Sequence, residues 1–589
     1  MRNTAKFFLV CFVLIFVLSL MPAPRGVRAE TFNFYVNDTG DTSDADTSNN
    51  ICSDSAGNCT LRAALEQSKT LHSTNTINIY FQLNSPATIV LHSDLTTFTN
   101  ANIINNDPLK RIIIDGNQKK GLIIWDEKST TIKGLKFQNF NGAAVTMYYS
   151  GTDYIENNIF SYNDIGIEIT GSSNGFGTVH ITSNYIGYDP ITETREPNTT
   201  GIQVIGFDYD TDDNLLWIGG DAIEKRNVIA GNGESGIYIN NEDLDTEIVI
   251  RNNYIGMVDD TTPLGNYDHG IYVLKSLGRV IIGGDYLTQG NLISGNDDKG
   301  LYIRESNTAL IAGNTFSANR SGTQYIPNQW GDIEVYQSPY LTIGGDDNDL
   351  GNVIPQGVSV KWPNNVNLKI KHNYLGISRN DFVFPIGSGK NGIDIDNVSG
   401  ISEISFNEIT GFRKGIIVGE NSNIPILNNH IYNNSVMGID LNNDGVTLND
   451  DPPDGDTGPN GLQNFPIFSN VEVTEIGTAK QVMFDLTIAA AKNTIYLLQV
   501  FSSPFCNSSG YGEGKQIFYS NPVTTDDNGY GVIEEITDFY PTNIKGPCLA
   551  ATATLLENAT FKPIATSEFS QGVMAWEPEF TLFLPLIMK

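Results

Sequence analysis

A short phrase, Asn-x-Ile followed by Gly-Ile-x-Ile or a near variant, recurs through most of this chain and constrains its fold more than any other feature. It reads IENNIFSYNDIGIEIT at 155–170, RNVIAGNGESGIYIN at 226–240, GNLISGNDDKGLYIR at 290–304 and NNHIYNNSVMGIDL at 428–441. The phrase asparagines are Asn158, Asn184, Asn227, Asn253, Asn291, Asn314, Asn352, Asn373, Asn407 and Asn429, at intervals of 21 to 43 residues. Each copy holds short β-branched strands and Asn/Gly turns, and none holds a helical period, which is the pattern of a β solenoid. A leucine-rich solenoid needs Leu at fixed offsets, and a propeller needs about 40 residues per blade, so neither fits the bare units. The longer intervals carry turn-like inserts such as MVDDTTPLGNYDH at 257–269, which are expected to loop out of the wall. Stacked asparagines would bond between coils, and the repeating Gly would serve a positive φ or a tight approach.

The ends bound the compartment. Arg2 and Lys6 precede an apolar run from Phe7 to Met21, and Val27-Arg28-Ala29 offers small residues before a cut at Glu30. This predicts a signal peptide over 1–29, with an uncleaved anchor as the alternative, for which the run is short. The net charge of −32 becomes −36 without Arg2, Lys6, Arg25 and Arg28, a surface that repels nucleic acid and acidic lipid. No other stretch approaches transmembrane length, so the mature chain is expected to have no membrane span. Four cysteines outside the leader fall in two local pairs, predicting bonds Cys52–Cys59 and Cys506–Cys548 in an oxidising compartment. A zinc site is the alternative, and no histidine stands in ligand spacing with a cysteine.

The sequence also supplies a cap for the first coil. LRAALEQSK at 61–69 reads as a short amphipathic helix with Thr60 as N-cap and Leu61, Ala64 and Leu65 facing the coil. The expected organisation is a leader at 1–29, a disulfide-pinned cap at 30–77, coils over 78–466, a sandwich over 467–571 and a tail at 572–589.

CTLRAAL at 59–65, NLISGN at 291–296, DLNNDGVTLNDDPPDGDTGPNGLQNFP at 440–466 and TSEFS at 566–570 resemble a family of secreted bacterial β-helix proteins with pectin-lyase-like architecture. Their N-terminal motif is Cys-Ser-Leu-Arg-Glu-Ala-Ile, and Ala63 replaces its glutamate, which weakens the capping box. The resemblance implies an all-β fold, a right-handed parallel β-helix with a short N-terminal capping helix and a C-terminal β-sandwich. It implies export and no single activity.

After Pro466 strand-like runs such as VMFDLTIAA at 482–490 and CLAATATL at 548–555 alternate with Gly/Asp/Asn turns, which reads as a small sandwich. It resembles the immunoglobulin-like domain that closes many of these proteins, and either caps the last coil or binds carbohydrate. TLFLPLIMK at 581–589 reads as a surface-retention signal or a last strand.

The residue after the first Ile of each Gly-Ile-x-Ile phrase should point outward. Those positions are Glu168, Gln203, Tyr238, Tyr272, Tyr302, Glu334, Ser359, Asp394, Ile417 and Asp440, one stripe roughly 45 Å long at about 4.8 Å per coil. Three tyrosines between carboxylates suggest a sugar-binding track; ordinary strand tyrosines are the alternative. Asp394 and Asp396, about 7 Å apart on one strand face, fall in the range of an inverting glycosidase pair, a geometry any Asp-x-Asp strand supplies. Asp450, Asp451, Asp454 and Asp456 could hold calcium; a rigid Pro/Gly connector is the alternative, and no other cofactor is indicated. His269-Gly270 is a fragment of a pectinase signature or a loop turn. The functional expectation is a cell-surface protein that binds a polysaccharide or glycan. The alternatives are a polysaccharide lyase or glycoside hydrolase, and a purely structural coat.

Overall fold

A computed structural model describes residues 29–575, except 72–74, 96–100, 108–110, 126–128, 149–150, 171–176, 207–213, 243, 362–366, 388, 451, 478 and 542–546. The expected leader lies outside the described residues, as does the tail from 576 onward. Among the described residues no helix is long and apolar enough to cross a membrane.

The chain winds into a parallel β-helix with three faces. The first face runs from Leu122–Trp125 through Ile165–Thr170, Ile237–Asn241, Lys299–Ile303, Gly331–Tyr336, Val358–Lys361 and Ile393–Ile395 to Met437–Leu441. The second runs from Thr31–Val36 through Thr152–Glu156, Thr178–Thr182 and Asn214–Gly219 to Ile426–Leu427. The third is a 13-stranded sheet of the Asn-x-Ile segments, from Ala87–Val90 to His430–Tyr432. The parallel ladder starts before residue 78, because Thr31–Val36 pairs in register with Thr76–Phe81. The helix Leu61–Thr70 is therefore an insertion between two coils. Thr60 Oγ1 accepts from Ala63 N–H at 3.0 Å as its N-cap, and Leu61, Ala64 and Leu65 are buried in the shared core. Both expected disulfides form, Cys52–Cys59 and Cys506–Cys548.

Register explains the core. Ile167, Ile202, Ile237, Ile271, Leu301, Ile333, Val358, Ile393, Ile416 and Ile439 align from coil to coil and are buried. Burying each such side chain contributes about 1.5–3 kcal/mol. The ten phrase asparagines form one unbroken ladder along a turn. In each step the backbone N–H and Nδ2 of one asparagine donate to Oδ1 of the next, as Asn227 does to Asn253 at 3.2 and 2.9 Å. The ladder's Nδ2 groups also donate to carbonyls of the preceding coil, as Asn253 does to Ile218 at 2.8 Å. The repeating Gly serves close approach: a Cβ on Gly166 would lie 2.6 Å from Gly201 O, and one on Gly392 2.5 Å from Gly415 O. The inserts form small hairpins on the wall, closed by bridges such as Met257 to Pro263, Ala318 to Tyr325 and Ile377 to Val383.

Beyond Phe465 a three-stranded and a five-stranded antiparallel sheet, beginning at Ile467–Ile476 and ending at Val573–Met574, pack around Phe484, Leu486, Leu498 and Val500. This sandwich closes the last coil by supplying the partners a further coil would have given. Glu513 accepts from Asn434 N–H at 3.0 Å, Thr566 Oγ1 from Ile426 N–H at 2.8 Å, and Ile431 and Gly514 exchange backbone bonds. Glu568 accepts from Leu441 and Thr447 N–H at 2.9 and 3.0 Å, and Phe569 lies against Gly438. The TSEFS segment thus lies against the end of the solenoid.

Candidate functional site

The outward stripe is one register column. Glu168, Gln203, Tyr238, Tyr272, Tyr302, Glu334, Ser359, Asp394, Ile417 and Asp440 are Cα partners in successive coils of the first face. Its last two members are not at the surface. Ile417 is 1 % and Asp440 0 % exposed; Asp440 pairs with Lys414 beneath it and accepts from Gly445 N–H at 3.4 Å. The usable stripe therefore ends at Asp394.

Along it the tyrosines touch ring to ring. Centroids are 5.5 Å apart for Tyr238–Tyr272, 5.2 Å for Tyr272–Tyr302 and 5.8 Å for Tyr302–Tyr336, with interplanar angles of 74°, 33° and 83°. Burial pushes the Tyr238 and Tyr302 hydroxyls up, so both stay neutral donors. Glu168 stands two coils before Tyr238 and is occupied within the wall by Thr146 and Gln203, each at 3.2 Å. Glu334 follows the tyrosines, takes the Lys299 ammonium at 3.1 Å and is hydrogen-bonded by the Tyr336 hydroxyl.

Next to Glu334 the wall sinks. Gly331 has no side chain and Ser359 a short one, which leaves a cavity of about 220 Å³. It is walled by Lys299 and Trp330 on one side and by Lys390, Asn391 and Asp394 on the other. Trp330 is 71 % exposed at this rim. Asp394 and Asp396 do share a strand face, but they do not stand as a free pair. Lys361 Nζ lies 2.5 Å from Asp394 Oδ1 and 2.7 Å from Asp396 Oδ2. These oxygens are thereby drawn closer than the ~6.5–9.5 Å separation of an inverting pair. Burial lowers the Lys361 pKa, yet the two carboxylates outweigh it and hold the group above its ordinary value.

Sequence reasoning missed three features. The first is a second asparagine ladder, Asn163, Asn198, Asn232, Asn266, Asn296 and Asn328, bonded step by step from coil to coil. The second is Asp332, which occupies the Gly position between Gly300 and Gly357 and stops that ladder. It is 1 % exposed, accepts from Ser317 Oγ at 2.5 Å, Asn328 Nδ2 at 3.2 Å and Gln356 N–H at 2.7 Å, and burial pushes it up to about 6. The signal was a single Gly replaced by Asp in GDIEVY, and it could have been read. The third is the surroundings of His269, read above only as part of a pectinase fragment or a loop turn: the ring is buried and set between Asp268 (3.7 Å) and Asp298 (3.8 Å) beside Tyr272 and Tyr302. Among the described residues only this trio brings three metal-ligating atoms within 4.8 Å of one another.

In the acidic connector the carboxylates bond the chain itself. Asp454 Oδ2 accepts from Asn464 N–H at 3.1 Å, and Asp450 accepts from Asn464 Nδ2 at 3.2 Å and Gly455 N–H at 3.4 Å. Burial, then Asp450 and Asp456, push Asp454 up to about 6. Asp451 lies outside the described residues.

Two solved structures are similar in outline. One is the enzymatically active domain of tailspike protein 2 of bacteriophage CBA120 (TM-score 0.23, 11 % identity, covering 87 % of this chain and 74 % of that one). The other is a mutant tailspike protein of the E. coli bacteriophage HK620 in complex with a pentasaccharide (TM-score 0.27, 13 % identity, 88 % and 85 % covered). At these TM-scores neither likeness bears on function. The family model described as "Right handed beta helix region" matches residues 194–338, the stretch of wall that carries the tyrosine row and Trp330.

Proposed function

We propose that this is an exported protein that binds a polysaccharide or cell-surface glycan along the first face, between Tyr238 and Asp394. The observation that carries the reading is the tyrosine row, in register over consecutive coils and running into a polar depression rimmed by an exposed tryptophan. Aromatic rings offer apolar faces to sugar C–H groups, and carboxylates and amides beside them bond hydroxyls. The N-terminal apolar run and the disulfides support export. Binding is favoured over catalysis because one ammonium occupies both Asp394 and Asp396. The test is retention on insoluble polysaccharides by the wild type and by the variant Tyr238→Ala, Tyr272→Ala, Tyr302→Ala. The wild type should be retained and the folded triple variant lost. Equal retention of both would reject the row, and cleavage of the polysaccharide by the wild type would restore the enzyme reading.

A further inference from the structure

The repeat rules of this solenoid fail together in one place. At Asp332 the Gly column is broken by an acid, and the second asparagine ladder ends on its carboxylate. Burying a carboxyl costs free energy even when it is hydrogen-bonded, and here it replaces a residue the other coils manage without. Gln356 is drawn inward to bond Asp332 through its N–H and Asn328 O and Ser317 Oγ through its amide. Directly outside lies the 220 Å³ cavity. On its wall the Asn391 Oδ1 is buried without a hydrogen-bond partner, and among the described residues Lys390 forms no ion pair. Departures from a local rule that bring no packing gain concentrate at functional sites.

Resting on the glycan-binding reading above, we infer that this depression is the specificity subsite of the groove and takes a single uncharged pyranose unit. Its volume lies below the ~300–1,000 Å³ of pockets for drug-sized ligands, which suits one ring and not a bundle of chains. Trp330 supplies the flat apolar face, standing at the rim with its ring exposed. Glu334 and Asp394 accept from sugar hydroxyls, Lys390 donates, and Asn391 Oδ1 gains the donor it lacks. Lys299 is taken by Glu334 and Lys361 by Asp394, and the charge of Lys390 acts on the buried Asp332, so the lining holds no cation in excess of its carboxylates. A uronic or sialic acid would find no spare ammonium there. The charge argument therefore selects a neutral hexose or pentose.

The test uses the full chain, with cellulose, mannan and a β-glucan as neutral probes and polygalacturonate as the acidic one. Ser359→Phe fills the depression from the outside, and Trp330→Ala removes its wall; neither touches the core. Each should weaken retention on a neutral polysaccharide at least tenfold while leaving the melting temperature in place, and polygalacturonate should not be retained. If both variants bind like the wild type while the tyrosine triple variant loses binding, the subsite is wrong and the groove reading stands. Retention on polygalacturonate in preference to the neutral probes overturns the sugar class. A wild type retained on none of the probes overturns the subsite and the groove reading together.

Discussion

The tyrosine row of the first face and the ring stack of the second are built from the same parts and end differently. On the second face Tyr154, His180 and Trp217 are register partners, with centroids 5.0 and 6.4 Å apart and planes within 7° and 17° of parallel. Arg251 closes that stack 5.4 Å from the Trp217 ring. Faces that cover one another leave little for a ligand, so this column is cross-strand packing. On the first face the rings tilt alternately, the row ends on carboxylates, and beyond it the wall opens at Trp330. Aromatic stacking along a solenoid is therefore no sign of binding in itself. What distinguishes the first face is that its regularity stops, at Asp332, beside a cavity.

Both columns hang from the same asparagine ladder, and its loss should be the largest effect. Asn253→Ala removes the acceptor of the Asn227 backbone N–H and Nδ2, and frees the Ile218 carbonyl. Leaving buried groups unpaired costs about 1–3 kcal/mol each, so a loss of roughly 2–5 kcal/mol is expected in chemical denaturation. A smaller loss would mean that water replaces the amide. The columns themselves should part company in binding. The triple tyrosine variant should lose tenfold or more in glycan affinity, about 1.4 kcal/mol, whereas Tyr154→Ala with Trp217→Ala should keep it. The opposite ranking would make the second face the binding face.

Acid separates the two faces further. Burial raises Asp332 to about 6 and raises Glu568, which bonds Leu441 and Thr447 N–H at the end of the solenoid, to about 8. Folded values above the unfolded ones impose a cost that is absent below about pH 4 and complete above about pH 8. Stability should therefore fall as pH rises through that window, and Glu568→Gln should flatten its upper half. His180 in the second stack has the opposite sign. Burial, then Lys225, lower its pKa, so its neutral form favours the fold as pH rises toward its ordinary 6.5, and its half-exposed ring makes this the smaller contribution. A melting temperature that rises steadily from pH 5 to 8 would contradict the assignment. The smallest effect concerns the connector. Because Asp450 and Asp454 are engaged with Asn464 and Gly455, a chelator should leave the melting curve unchanged, and a drop would show that calcium holds this turn.

The parts of this molecule legible in the sequence are those set by short periods. The Asn-x-Ile phrase showed the ladder from Asn158 to Asn429, and the period of two placed the stripe in register. Local spacing paired the cysteines, and Thr60 marked the helix start. The first coil at Thr31–Val36 was missed because the helix and its disulfide loop separate it from its partner strand. The second ladder was hidden because inserts of unequal length precede its asparagines. Trp330 was passed over since it falls outside the strand pattern, in the turn before Gly331. Ile417 and Asp440 were placed at the surface because nothing in their own strands shows that they are buried, with Gly445 from the segment after the strand bonding Asp440. Lys361 was set apart from Asp394 and Asp396 by 33 and 35 residues, a distance that one step of the coil abolishes.

Oxidative footprinting of aromatic side chains, with and without a saturating neutral polysaccharide retained by the wild type, tests the central claim most directly. Protection should appear at Trp330, Tyr302 and Tyr336, with Tyr154 and Trp217 unchanged. Protection confined to Tyr154 and Trp217, or to Phe505 and Phe561 of the sandwich, with Trp330 as reactive as before, would contradict it.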